Sequence, residues 1–149
     1  EKNSPDRSRA SRLAADKARD ELSKRNWEAA DIDAVAHAIE AHSFTANITP
    51  RSIEAKILQD ADRLDAIGAV GIARCFYVAG RLNSALYHPD DPKADNRMLD
   101  DRRYAVDHFG AKLLGLADGF QTETGQALAS SRHQRMLVFL DGLYDEIAD

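Results

Sequence analysis

Residues 54–74 read EAKILQDADRLDAIGAVGIAR and set four carboxylates, Glu54, Asp60, Asp62 and Asp65, in a stretch otherwise suited to helix packing. Aspartate is a weak helix former, and a carboxylate in apolar helical surroundings is costly unless paired or bound to a metal. Helical spacing sorts the four. Lys56 lies one turn before Asp60, which allows a surface ion pair worth about 0.3–0.5 kcal/mol. Asp62 and Asp65 share a face, where like charges repel mildly, whereas Asp60 and Asp65 turn away from each other. Asp62 and Arg63 read as a solvated edge. Two readings stand at this level: ion-paired surface residues, or one carboxylate turned towards a cation in the interior while the others meet solvent.

The histidines narrow the chemistry only a little. His42 ends a helix just before Ser43 and Phe44, where a protonated imidazole suits the helix dipole. His37 is five residues earlier and points elsewhere, so the two cannot chelate like the i, i+4 histidines of a zinc helix; His37 reads as a core or surface residue. His88, His108 and His133 are isolated, with capping or solvent roles. Asp107 precedes His108, but adjacent helical residues diverge, so no catalytic dyad follows. The single cysteine, Cys75, rules out an internal disulfide framework and fits a reducing compartment; its neighbours mark it as buried filler.

The elements that must position these groups are helical throughout. Ser4 and Pro5 offer an N-cap and first helical position, followed by Ala10, Leu13, Ala14, Ala18 and Leu22 at helical spacing. A second helix takes Asp31 or Asp33 as cap, carries Val35, Ala38 and Ile39 on one face and ends near His42. A third starts from Thr49 and Pro50 and runs on to Gly80, with Ile53, Ile57, Leu64, Ile67 and Val70 packed on several sides. Gly68 and Gly71 mark either close approach of another helix or a break into two shorter ones. Residues 83–97 form an extended loop rich in Pro, Asp and Asn. Two further helical stretches follow, over 102–120 and 122–149, the last with a stripe of Met136, Phe139, Leu140, Leu143 and Ile147. No strand alternation and no internal repeat is found, so the fold class is all-α.

Bulk properties bound the rest. The 149 residues, 44% hydrophobic and 30% charged, fit one domain or most of one. A net charge of −5, from 20 basic and 25 acidic residues, gives no electrostatic grip on nucleic acid. No apolar run approaches the roughly 18 residues of a membrane span, and a cytoplasmic location is expected.

Four blocks in order, EAHSF, EAKILQDADRLDAIGAVGIAR, ALYHPDDP and LDDRRYAVDHFGAKLLGL, resemble the HD-domain phosphohydrolase superfamily, in particular its YedJ-like branch, over essentially the whole chain. The resemblance implies an HD-domain-like helical bundle in which a divalent cation is held by a histidine, a His-Asp doublet and a later aspartate. The later aspartate falls in QDADRLD and assigns the ligand role to Asp60 ahead of Asp62. Such a mixed set suits Mn, Fe, Co, Ni or Zn and also admits Mg. The implied activity is metal-assisted hydrolysis of a phosphate ester or anhydride, with a nucleotide as the expected small-molecule substrate. His42 is the candidate catalytic residue, Lys2, Lys56 and Arg63 are the candidates for substrate phosphate, and Tyr87 is the loop residue best able to stack on a base.

The sequence also departs from the pattern. It has no His-Asp doublet and no histidine before His37, and the resemblance places that doublet just upstream of EKNSPDRSRAS. The 149 residues are therefore expected to be the C-terminal two-thirds of a single HD-type domain and, alone, to hold no metal tightly and to be inactive. The alternative is a catalytically incomplete regulatory or nucleotide-binding module. In that case the stripe Met136, Phe139, Leu140, Leu143 offers a homodimer face in place of core.

Overall fold

The computed structural model describes residues 9–43 and 46–148 and is all-α. Five α-helices run in the order α1 (Ala10–Lys24), α2 (Ala29–His42), α3 (Ile53–Leu64), α4 (Gly68–Arg81) and α5 (Glu123–Ala148). Between α4 and α5 the chain makes a π-helical turn at Phe109–Leu113 and a 3-10 segment at Leu114–Gly119. The chain divides between Asp62 and Arg63 into two compact units. The expected cap at Ser4 and Pro5 lies outside the described residues.

The first unit is built on methyl groups. Ala15, Ala36, Ala41 and Ala55 are fully buried, and side chains this small let helix backbones approach closely. In α1 the inward stripe is Ser11, Ala15, Ala18 and Leu22, at helical spacing; Ala10, Leu13 and Ala14, expected on that face, are exposed. The α2 helix starts earlier than expected, at Ala29, with Glu28 as an extended N-cap that makes no side-chain bond. Asp31 is therefore inside the first turn, where its charge meets the positive end of the helix dipole. The α3 helix starts later than expected. Ser52, not Thr49, caps it, its Oγ accepting the Ala55 N–H at 3.2 Å. The face of α3 turned inward carries Ala55, Gln59 and Asp60. Its Ile53 and Ile57 are 57% and 55% exposed, contrary to the packing expected of them.

The expected long helix to Gly80 is two helices. The first ends at Leu64, and the second opens at Gly68 and passes Gly80 to reach Arg81. Gly68 has φ +72°, and a Cβ there would lie 2.9 Å from both Cβ and Cγ of Arg132. The Arg132 guanidinium donates to the Leu64 carbonyl, at the end of α3, so the arginine has little room to retreat. Both roles expected of the glycine, break and close approach, meet at this residue. Gly68→Ala is expected to lower stability by about 2 kcal/mol, from left-handed backbone strain plus overpacking, measured as a lower urea midpoint at unchanged slope. A Cβ at Gly71 would sit 2.3 Å from the Ala66 carbonyl oxygen, so the turn itself packs on that residue.

In the second unit the core comprises Ile67, Val106, Phe109, Leu113, Leu116, Phe120, Ala129, Met136 and Leu140. Phe76, Phe109 and Phe139 form a ring cluster with centroids 5.8–6.1 Å apart. Met136 and Leu140 are buried here, with Phe139 and Leu143 packed against them. Met136 and Leu140 of the C-terminal stripe thus belong to the core. Cys75 also packs against this cluster and donates to the Ala105 carbonyl at 3.4 Å. Of the helix expected over residues 102–120, the part before 107 is not helical because that stretch of chain bonds elsewhere. Ala105 N–H donates to the Ala85 carbonyl at 2.9 Å and Val106 N–H to that of Leu86 at 3.0 Å.

The loop between α4 and the π turn is held by a buried carboxylate. Asp107 accepts from Arg97 Nη1 at 2.5 Å, from Arg97 Nη2 at 2.7 Å and from the Asp100 N–H at 2.6 Å. Its side chain is 1% exposed and that of Arg97 17%. Arg97 also lies over the Tyr104 ring at 5.0 Å. Asp91 adds a turn of its own, accepting the N–H groups of Asp95 and Asn96 at 2.9 and 3.0 Å. The bonds from Arg97 hold the Asp107 carboxyl below its usual range, with the Asp100 N–H adding to this against the opposing effect of burial. A folded-state depression stabilises above the unfolded carboxylate pKa of about 3.9 and is lost as pH falls through the folded value. The stability difference between the protein and Asp107→Asn is therefore expected to stay flat from about pH 7 to 5 and to shrink below about pH 4, read from denaturation at a series of pH values.

Candidate functional site

The inward face of α3 meets the last turn of α2. Gln59, 3% exposed, donates its Nε2 to the Ala41 carbonyl at 2.6 Å. A glutamine amide so placed satisfies one of the carbonyls that a helix end leaves without an intrahelical partner. Asp60 follows it and is also 3% exposed, whereas Asp62 and Asp65 are exposed. One aspartate of the run is inside and the other two face solvent.

His42 closes α2. Its Nδ1 lies 2.6 Å from the Ile39 carbonyl, and because a carbonyl only accepts, Nδ1 is the protonated nitrogen. In the neutral ring this leaves the lone pair on Nε2, the state in which a histidine takes a proton or supports a ligand. His37 has a structural task. Its Nε2 accepts the Arg51 N–H at 3.1 Å and ties α2 to the segment entering α3. Fourteen residues separate the two, and no local spacing signals that contact.

Each of the other expected residues has its own surroundings. Lys56 is half-buried one turn before Asp60 on α3. Arg63 is half-buried and its guanidinium donates to the Gly119 carbonyl, so it braces the second unit. Tyr87 is half-buried and packs on the second unit's core. Lys2 lies outside the described residues. Asp107 and His108 form no pair, since Asp107 binds Arg97 and His108 Nδ1 lies 2.9 Å from Asp101 Oδ2.

Sequence reading missed Gln59. It is buried, and its Oε1 has no hydrogen-bond partner among the described residues. The available signal was a glutamine on the same helical face as Ala55 and next to Asp60, but an isolated glutamine in a helix carries no chemistry of its own.

These donors do not by themselves fit a metal ion. Among the described residues no three His, Cys, Asp or Glu side chains gather as a group that could hold one, and a single carboxylate cannot supply a transition-metal site. No helix among the described residues is long and apolar enough to cross a membrane.

Comparison with known proteins places this geometry. The HD domain model matches residues 4–67, the segment that carries α1, α2 and α3 with Gln59 and Asp60. The uncharacterized protein YpgQ of Bacillus subtilis (strain 168) is 44% identical over 119 residues, which cover 77% of this chain and 52% of YpgQ. The crystal structure of Bacillus subtilis YpgQ in complex with ADP superposes with a TM-score of 0.68 at 39% identity, covering 89% of this chain and 61% of that one. An HD-superfamily hydrolase from Bacillus thuringiensis gives a TM-score of 0.69 at 36% identity, over 89% and 61% of the two chains. The chain thus spans about half the length of the curated relative it matches and about three-fifths of these solved chains. With its buried aspartate on the last helix of the matched segment, and relatives of this identity along most of its length, the chain belongs to the HD-domain superfamily.

Proposed function

We propose that the whole protein is a metal-dependent phosphohydrolase acting on a phosphate ester or anhydride of a nucleotide, and that this chain contributes Asp60 as a metal ligand. The observation that carries the reading is the burial of Asp60, at 3% exposure, inside the segment matched by the HD domain model. An ionised carboxylate is kept inside a helical unit only where charge or hydrogen bonds compensate it. A solved relative named as an HD-superfamily hydrolase, and another crystallised with ADP, support the reaction class and the nucleotide. The reading requires metal donors beyond the described residues. When bound, a divalent cation lowers the pKa of a water and offsets phosphoryl charge.

Within this chain, His42 is proposed to take or position a proton through Nε2, its ring held by the Nδ1 bond to Ile39. Lys56 is the proposed phosphate contact on α3. Lys2 is kept as a second contact, and Arg63 is a weaker one because its guanidinium is engaged with Gly119. Tyr87 is the proposed base contact. The full-length protein is expected to retain a divalent cation through dialysis and to release phosphate from nucleoside phosphates. A preparation that binds ADP, holds no cation and releases no phosphate would support the second reading, a nucleotide-binding module without turnover. That second reading is favoured by one observation, the lack of a metal-holding group among the described residues.

A further inference from the structure

The buried Gln59 has a divided amide. Nε2 is spent on the Ala41 carbonyl at 2.6 Å, while Oε1 is buried and has no partner among the described residues. The two atoms share one amide carbon, so the unmatched acceptor also lies at the C-terminal end of α2. A buried acceptor without a donor costs about 1–3 kcal/mol, and most native polar groups in such positions have a partner. The side chain is not free to turn over and exchange its ends, because that would set Oε1 against the Ala41 carbonyl, acceptor against acceptor.

We propose that Gln59 is a specificity-determining residue of this site and that Oε1 accepts a hydrogen bond from a donor group of the nucleotide, a sugar hydroxyl or a base amino group. The inference rests on the nucleotide reading given above and deepens it. The acceptor's chemistry sets the selectivity: an ionised phosphate has only acceptor oxygens and cannot satisfy Oε1, whereas sugar and base both carry donors. Nε2 has a separate task as a strut between α3 and α2, and the two tasks are separable by mutation.

The test compares ADP with inorganic pyrophosphate as ligands of the full-length protein by titration calorimetry. Gln59→Met keeps the length of the side chain and removes both polar ends. It is expected to weaken ADP about tenfold more than it weakens pyrophosphate, the scale of one lost hydrogen bond. Gln59→Glu keeps an acceptor and loses the strut, and is expected to weaken both ligands by the same factor. Equal losses in Gln59→Met, or none, would overturn the assignment, because a merely structural role moves both ligands together. If Gln59→Met does not fold, Gln59→Lys carries the test, since it keeps a donor for the Ala41 carbonyl and has no acceptor: a loss larger for ADP than for pyrophosphate supports the assignment and equal changes overturn it. An unsubstituted protein that binds neither ligand overturns the nucleotide reading, and this inference with it.

Discussion

Asp60→Asn in the full-length protein is expected to weaken divalent-cation binding by at least about a hundredfold and to abolish phosphate release, with the helical circular dichroism unchanged. Asparagine keeps the shape and one acceptor oxygen, so a side chain that is 3% exposed can be replaced without opening a cavity. What it loses is the charge. Changes one layer out from a metal typically cost 10–100-fold in affinity, and a direct ligand is expected to cost more than they do. Asp62→Asn is the control, since Asp62 is exposed on the same helix, and it should leave both readouts near the parent protein. Metal content after dialysis and phosphate release on nucleoside phosphates are the measurements. Full metal occupancy in Asp60→Asn would remove this residue from the site.

Asp107→Ala should be the most destabilising substitution in the loop before the π turn, at about 3 kcal/mol. Its carboxylate is 1% exposed and accepts both Nη groups of Arg97 together with the Asp100 N–H. Deleting it strands those donors, and removing one partner of a buried pair is far more costly than the pair's net contribution. The exposed pair of Asp101 and His108 is the comparison. Its side chains are 42% and 30% exposed, so Asp101→Ala should cost less than about 1 kcal/mol. Urea denaturation of both variants decides it, and equal midpoints would show that the loop does not depend on the Arg97–Asp107 pair.

Several errors of the sequence reading share one cause. The periodicity of α3 names Ile53 and Ile57 as the packed residues, yet the inward face carries Ala55, Gln59 and Asp60. Spacing reports which residues share a face and not which face a neighbour covers, and large apolar residues are only on average inside. In α1 the small residues Ser11 and Ala15 are inside while Leu13 is 45% exposed, for the same reason. The helix expected over residues 102–120 failed differently: Ala105 and Val106 give their N–H groups to Ala85 and Leu86, a pairing about twenty residues apart in sequence that no local pattern encodes.

The order of residues by itself determined the all-α class, the break or close approach at Gly68, the C-terminal stripe with its core reading, and the superfamily. These depend on local spacing, on glycine's backbone freedom and on motif order, all of which are properties of short stretches. Tertiary structure decided which aspartate is buried, that Arg63 serves the Gly119 carbonyl, that His37 staples Arg51, and that Gln59 rather than a charged residue fastens α3 to the end of α2. Each of those is a contact between residues far apart along the chain, and the free energy of a polar group depends on whether its partner is there once water has been excluded.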